Sequence, residues 1–290
     1  MPRLPNDVLD WRDMGRTMRW GEHDIFVVDT NSHAGPVVLI LHGFPSSSFD
    51  WYRVVPKLAA RTRVVAFDFL GYGLSAKPAD ARYSLFEQAD LAEAVAANHG
   101  ATSVVLVTHD MGQTVGAELA KRQLEGSLGF EIVRVILTNG STFIDLAELS
   151  DGQQLLLSLP DEPLTESLPL DGLKPGLQQT FSREHPPDAA ELDAMIALLQ
   201  HADGDRLLPR LIRYIDERRL HQDRWTSGLV DLDVPTTAVW GEQDPIAVVA
   251  MAERLASLRP STEVVRWPDV GHWPSIEVPD RMASTILDRL

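Results

Sequence analysis

The stretch Val104-Val-Leu-Val-Thr-His-Asp-Met-Gly-Gln-Thr-Val-Gly116 decides the fold. Val104–Thr108 is a short, apolar, β-branched run, the pattern of a buried strand. Met111–Leu124 then carries helical periodicity. The chain therefore passes from strand to helix within a residue or two of Asp110. A turn that sharp brings two backbones together, and the residues two before and two after it, Thr108 and Gly112, are small enough to allow this. An aspartate there sits at a helix N-terminus, where the macrodipole favours an anion. An aspartate N-cap would look the same in isolation, so the reading of Asp110 depends on what surrounds it.

Outward from this turn, short β-rich runs alternate with helical segments. Val37–His42 and Val64–Phe69 read as buried strands before it, and Ser84–Asn98 as a helix. Ile132–Thr138, Thr237–Trp240 and Glu263–Trp267 read as strands after it, with helices at Val248–Leu258 and Pro279–Leu290. Such alternation predicts an α/β fold with a mostly parallel central sheet flanked by helices. Residues 142–228 differ. They carry scattered prolines, among them Pro160, Pro163, Pro175 and Pro186, and helical pieces at Ala189–Gln200 and Leu207–Arg219, but no run that reads as a buried strand. The expected organisation is a core of residues 1–141 and 229–290 with an inserted helical cap, 142–228, over the carboxyl ends of the strands, where open α/β sheets bind ligands.

Composition narrows the functional classes. The 290 residues include no cysteine, which removes disulfides, thiolate catalysis and cysteine-based metal sites. A formal charge of −16 repels phosphate backbones and anionic lipid, so neither nucleic acid nor a membrane is an expected partner. No apolar run approaches the ~18 residues of a spanning helix. The N-terminal MPRLPNDVLDWRD lacks the apolar stretch of a signal peptide. The expectation is a cytoplasmic monomer or homodimer without cofactor or metal, acting on a small apolar organic substrate and water.

Three further motifs bear on Asp110. Trp240-Gly-Glu-Gln-Asp-Pro follows a strand and places Asp244 at its carboxyl end. Val270-Gly-His-Trp-Pro follows the next strand and supplies His272. His42-Gly-Phe-Pro follows the first strong strand. There Gly43 lets the backbone approach closely, and the Phe44 N–H and the Met111 N–H are the two candidate oxyanion donors. Phe44-Pro45 is a candidate cis bond, and His42 reads chiefly as a hydrogen-bonder of its own loop. No Gly-x-Ser-x-Gly occurs in the chain; Gly71-Tyr-Gly-Leu-Ser has the wrong spacing.

Together, His-Gly-Phe-Pro, Gly71-Tyr-Gly-Leu-Ser, His-Asp-Met-Gly, Gly-Glu-Gln-Asp-Pro and Gly-His-Trp-Pro resemble the epoxide hydrolase and haloalkane dehalogenase branch of the α/β-hydrolases. Within that branch His42–Trp51, Tyr83–Asp90 and Leu211–Arg218 resemble the mesoderm-specific transcript-like subgroup. The resemblance implies Asp110 as nucleophile, Asp244 as acid and His272 as base. It also marks two departures. Dehalogenases of the branch carry tryptophan after the nucleophile, where Met111 stands here, and a halide-binding tryptophan in the cap, for which Trp225 is the candidate. Epoxide hydrolases polarise the epoxide with two cap tyrosines, and this cap has one, Tyr214. The acid's other position in the branch holds Asn139, read as pocket-lining.

The expected reaction is an epoxide hydrolase-like displacement. Asp110 attacks an sp³ carbon, and His272 then activates water to hydrolyse the ester. Haloalkane dehalogenase and esterase or lactonase activity are the hydrolytic alternatives. A ligand receptor or a cofactor-free oxygenase are the non-hydrolytic ones.

Overall fold

The computed structural model describes residues 4–168 and 170–290; Met1–Arg3 and Pro169 lie outside the described residues. Eight strands form one sheet: β1 (Arg16–Trp20), β2 (His23–Asp29), β3 (Val37–Leu41), β4 (Val64–Phe67), β5 (Ser103–His109), β6 (Glu131–Thr138), β7 (Thr236–Gly241) and β8 (Glu263–Trp267). Their order is β1-β2-β4-β3-β5-β6-β7-β8. From β4 to β8 all neighbours are parallel, whereas β2 pairs antiparallel with both β1 and β4. All six strands read from the sequence are present.

The β1–β2 hairpin is additional. Its first strand, RTMRW, buries only Met18, so it lacks the apolar run that marks the others. Gly21, at φ 57°, makes the tight turn between the two strands.

Side chains alternate across the sheet, as a period of two requires. Leu39, Leu41, Val65, Phe67 and Leu106 face one apolar layer. Val38, Ile40, Val64, Ala66, Val105 and Val107 face the other. These central strands are wholly apolar because both faces are covered by helices.

Between β6 and β7 the described residues form helices and loops only. The helices include Asp151–Ser158, Leu170–Gln178, Ala189–Gln200 and Tyr214–Asp231. The single helix expected over Leu207–Arg219 is instead broken after Leu211, and the second piece runs on to Asp231. The boundary expected at residue 228 therefore falls inside a helix. Gly228 is not a helix terminator here. A Cβ on it would lie 2.3 Å from the Ala117 carbonyl oxygen, so glycine lets this helix press against Met111–Leu124. The contact is cemented by Glu118, a buried carboxylate that accepts from Arg224, Arg122 and the Trp225 indole.

Candidate active site

Five loops at the carboxyl ends of β3, β5, β6, β7 and β8 meet around Asp110. β5 ends at His109 and the next helix starts at Met111, leaving Asp110 at φ 44° and ψ −114°. That region is uncommon for a residue with a Cβ and persists only where the surroundings hold it. The Asp110 N–H donates to the Thr138 carbonyl at 3.3 Å, and the Gln113 N–H donates to the Asp110 carbonyl at 3.1 Å. Two glycines make room. A Cβ on Gly112 would lie 2.4 Å from the Leu41 carbonyl oxygen, and one on Gly43 would lie 2.7 Å from the Asp110 Cβ. The Phe44 N–H donates to Asp110 Oδ2 at 2.8 Å. Phe44-Pro45 is cis. Met111 opens its helix, so its N–H belongs to the first turn, whose donors have no intrahelical acceptor.

His272 Nδ1 lies 2.7 Å from Asp244 Oδ2. The other carboxylate oxygen, Oδ1, accepts from the Ile246 and Ala247 N–H groups at 2.7 and 3.0 Å. Burial alone would raise Asp244, but His272 and these donors lower it below its ordinary value. Burial alone would lower His272, but the Asp244 and Asp110 carboxylates outweigh it and hold the imidazole at about 9. His109, next to Asp110, ties the two halves together through a 2.7 Å bond between its Nε2 and the His272 carbonyl.

Other side chains singled out in the sequence take different places. Asn139 does not line the cavity. Its Nδ2 donates to Asp244 Oδ2 at 2.8 Å and to the Gly241 carbonyl at 3.1 Å, and its Oδ1 accepts from the Gly241 N–H. It holds the Asp244 carboxylate in place. His42 spends both ring nitrogens on backbone: Nε2 accepts from the Phe69 N–H, and Nδ1 meets the Gly43 carbonyl. Burial holds it at about 4, so it is a neutral brace for the Phe44 loop, not a substrate contact. Trp225 is buried against Glu118, between two helices and away from the cavity. Tyr214 is buried behind Phe44, ring centroids 5.4 Å apart, and does not line the cavity.

Asp110 and His272 open onto one cavity of about 690 Å³. Phe44, Leu156, Leu173, Leu177 and Trp273 give it apolar walls, and Gln153 is a polar group in them. Among the described residues, no group of three or more His, Asp or Glu side chains could hold a metal ion. No helix of the described residues is long and apolar enough to cross a membrane.

The sequence reading passed over Gln153, although its signal was present. Ser150-x-x-Gln153 is a capping box, with the Gln153 N–H on Ser150 Oγ and the Ser150 N–H on Gln153 Oε1. Arg218 was also missed. It reaches the Asp110 turn from a helix more than 100 residues away, and no local pattern announces that.

A family model, alpha/beta hydrolase fold, matches residues 36–279. The chain belongs to that family. Among its relatives is the LipZ protein of Mycobacterium tuberculosis, 40% identical over 283 residues, covering 98% of each chain. The mesoderm-specific transcript protein of Mus musculus is 31% identical over 288 residues, covering 96% of this chain and 86% of its own. Haloalkane dehalogenase DbeA of Bradyrhizobium elkani superposes with a TM-score of 0.79 at 20% identity, over 95% of this chain and 96% of its own. At that identity the likeness concerns the fold alone.

Proposed function

We propose that this chain is a hydrolase of the epoxide hydrolase type, with Asp110 as nucleophile, His272 as base and Asp244 as the residue that orients it. The observation that carries this reading is the Phe44 N–H on Asp110 Oδ2. It leaves Oδ1 to attack. Oδ1 bonds to an epoxide carbon, the C–O bond of the ring breaks, and the freed oxygen takes a proton from the His272 imidazolium, which leaves that ring neutral for the second step. Gln153 supplies a polar contact for that oxygen in the cavity wall. Water then loses a proton to His272 and adds to Asp110 Cγ. The oxyanion forms on Oδ2, where the Phe44 and Met111 N–H groups receive it, an effect worth about 3 kcal/mol per donor. Collapse returns the carboxylate and releases a diol.

The order of the two steps suits the electrostatics of the site. Asp110 is one of the charges that raise His272. Forming the ester removes that charge, so the imidazole becomes easier to keep neutral when it must act as a base. Haloalkanes fit less well. A departing halide needs N–H donors, whereas the Met111 thioether beside the nucleophile accepts, from the Tyr72 hydroxyl at 3.3 Å. In this reading residues 142–228 form a cap that shapes the cavity, with Leu156, Leu173, Leu177, Leu199 and Leu208 in its wall.

A single turnover with styrene oxide in oxygen-18 water tests the proposal. Heavy oxygen is expected in the Asp110 carboxylate, since solvent water attacks its carbonyl. Heavy oxygen in the diol alone would mean direct attack by water, with Asp110 as a base, and would overturn it.

A further inference from the structure

We propose that Arg218 is a positioning residue for the chemistry of Asp110, fixing the main chain of the nucleophile turn from the helix Tyr214–Asp231. The inference rests on the reading of Asp110 as nucleophile. Arg218 is only 2% exposed. An arginine keeps its charge at any ordinary pH, and a buried charge normally has a carboxylate partner. Here the hydrogen bonds go elsewhere. Nε donates to Thr114 Oγ1 at 2.7 Å, and Nη2 donates to the Asp110 carbonyl oxygen at 3.2 Å. The guanidinium lies over the Tyr214 ring, 4.6 Å from its centroid. Tyr214 in turn packs against Phe44, whose N–H holds Asp110 Oδ2. One turn of helix, residues 214 and 218, thus touches both the nucleophile's backbone and the ring of the oxyanion residue.

Attachment of the helix does not require this arrangement. Arg224 of the same helix already makes ion pairs with Glu118 and Glu125. The Arg218 cation also shares a buried cluster with Asp110, since both charges act on Tyr72 and Tyr214. Arg218 does not line the cavity. It therefore leaves substrate binding alone while holding Asp110 in its unusual backbone conformation, and it places a fixed positive charge behind the carboxyl group that carries the oxyanion.

The test compares Arg218→Met, Arg218→Lys and Thr114→Val with the parent protein, using styrene oxide. Arg218→Met is expected to lower kcat by about tenfold or more with KM within about threefold, since small displacements of reacting groups cost rate before affinity. Arg218→Lys keeps the charge but not the fork and should recover part of the loss. Thr114→Val, which removes one bond and leaves the arginine, should fall between and guards against a methionine variant that does not fold. Hydrogen exchange of the Met111–Thr114 amides is expected to quicken in Arg218→Met whether or not the substrate reacts. Unchanged kcat, or a loss confined to KM, would overturn the inference, as would unchanged exchange at the turn. If the parent forms no ester on Asp110, the functional reading fails, and the exchange measurement still decides the positioning.

Discussion

At the scale of single residues, the site is a set of charges that depend on one another. His272 is held at about 9 because the Asp244 and Asp110 carboxylates overcome the effect of burial. Asp110→Asn removes one of them, so the His272 imidazole is expected to titrate lower than in the parent, by proton NMR of the ring. An unchanged titration would mean the two groups do not communicate. Gly112 is set by space. An alanine there would press its Cβ to 2.4 Å from the Leu41 carbonyl oxygen. Gly112→Ala should lower stability by about 1–3 kcal/mol in urea denaturation, the usual cost of overpacking, and disturb the Phe44 loop. Asp110, Asp244 and His272 were legible in sequence because each lies in the loop that leaves a strand and sits beside a small or turn-forming residue. The task of Asn139 was not. It is buried and spends its polar atoms on Asp244 and Gly241, a choice made by tertiary contact. Residue type alone made it look like a pocket contact, whereas His42 reads from the sequence as a hydrogen-bonder of its own loop and bonds the Gly43 carbonyl there.

At the scale of elements, the parallel strands could be read because burial on both faces makes them uniformly apolar. The β1 strand could not, since an edge strand with one buried residue carries no such run. The helices between β6 and β7 were only partly legible. Ala189–Gln200 was found from its periodicity, and an Asp188–Glu191 capping box supports its start. The helix Tyr214–Asp231 was mis-bounded. Its sequence, YIDERRLHQDRWTSGLVD, is polar on most positions, and its hold on the core comes from charged groups as much as from apolar ones. Glu118 is the centre of that hold, with Arg224, Arg122 and Trp225 all donating to it. Truncating one member of a buried ionic network leaves the others uncompensated, at a cost of about 3 kcal/mol or more. Glu118→Ala is therefore expected to lower the midpoint of chemical denaturation strongly. A shift worth less than ~1 kcal/mol would show that the helix is held mainly by apolar packing.

At the scale of the whole molecule, buried titratable groups, among them His42, His109, Asp50 and His272, make stability vary with pH. Burial lowers His42 and His109 to about 4 from an ordinary 6.5. Between those values the unfolded chain binds two protons that the folded one does not. Burial raises Asp50 to about 8 from 3.8, so over the same range the folded chain keeps one proton that the unfolded one loses. Burial raises Asp68 as well, so it works in the same direction as Asp50, and the contribution of the two histidines ends at about 6.5. Above that, the histidines contribute no further, while Asp50 and His272 both hold protons in the folded state until about 8 and 9. Stability should therefore fall between about pH 6.5 and 8, and Asp50→Asn should flatten that decline. A thermal denaturation series across pH checks this, and stability that rises across that window would contradict it. The same molecule gathers five loop ends, a strained turn and an inserted set of helices around one carboxylate. In the proposed reaction this carboxylate becomes covalently bonded to substrate. The direct measurement is intact-peptide mass spectrometry of His272→Gln after exposure to styrene oxide. The expected result is a mass increase equal to one substrate on the peptide holding Asp110, absent when Asp110→Asn is added. Turnover of styrene oxide by the parent, with no adduct on that peptide in His272→Gln and activity kept in Asp110→Asn, would contradict it.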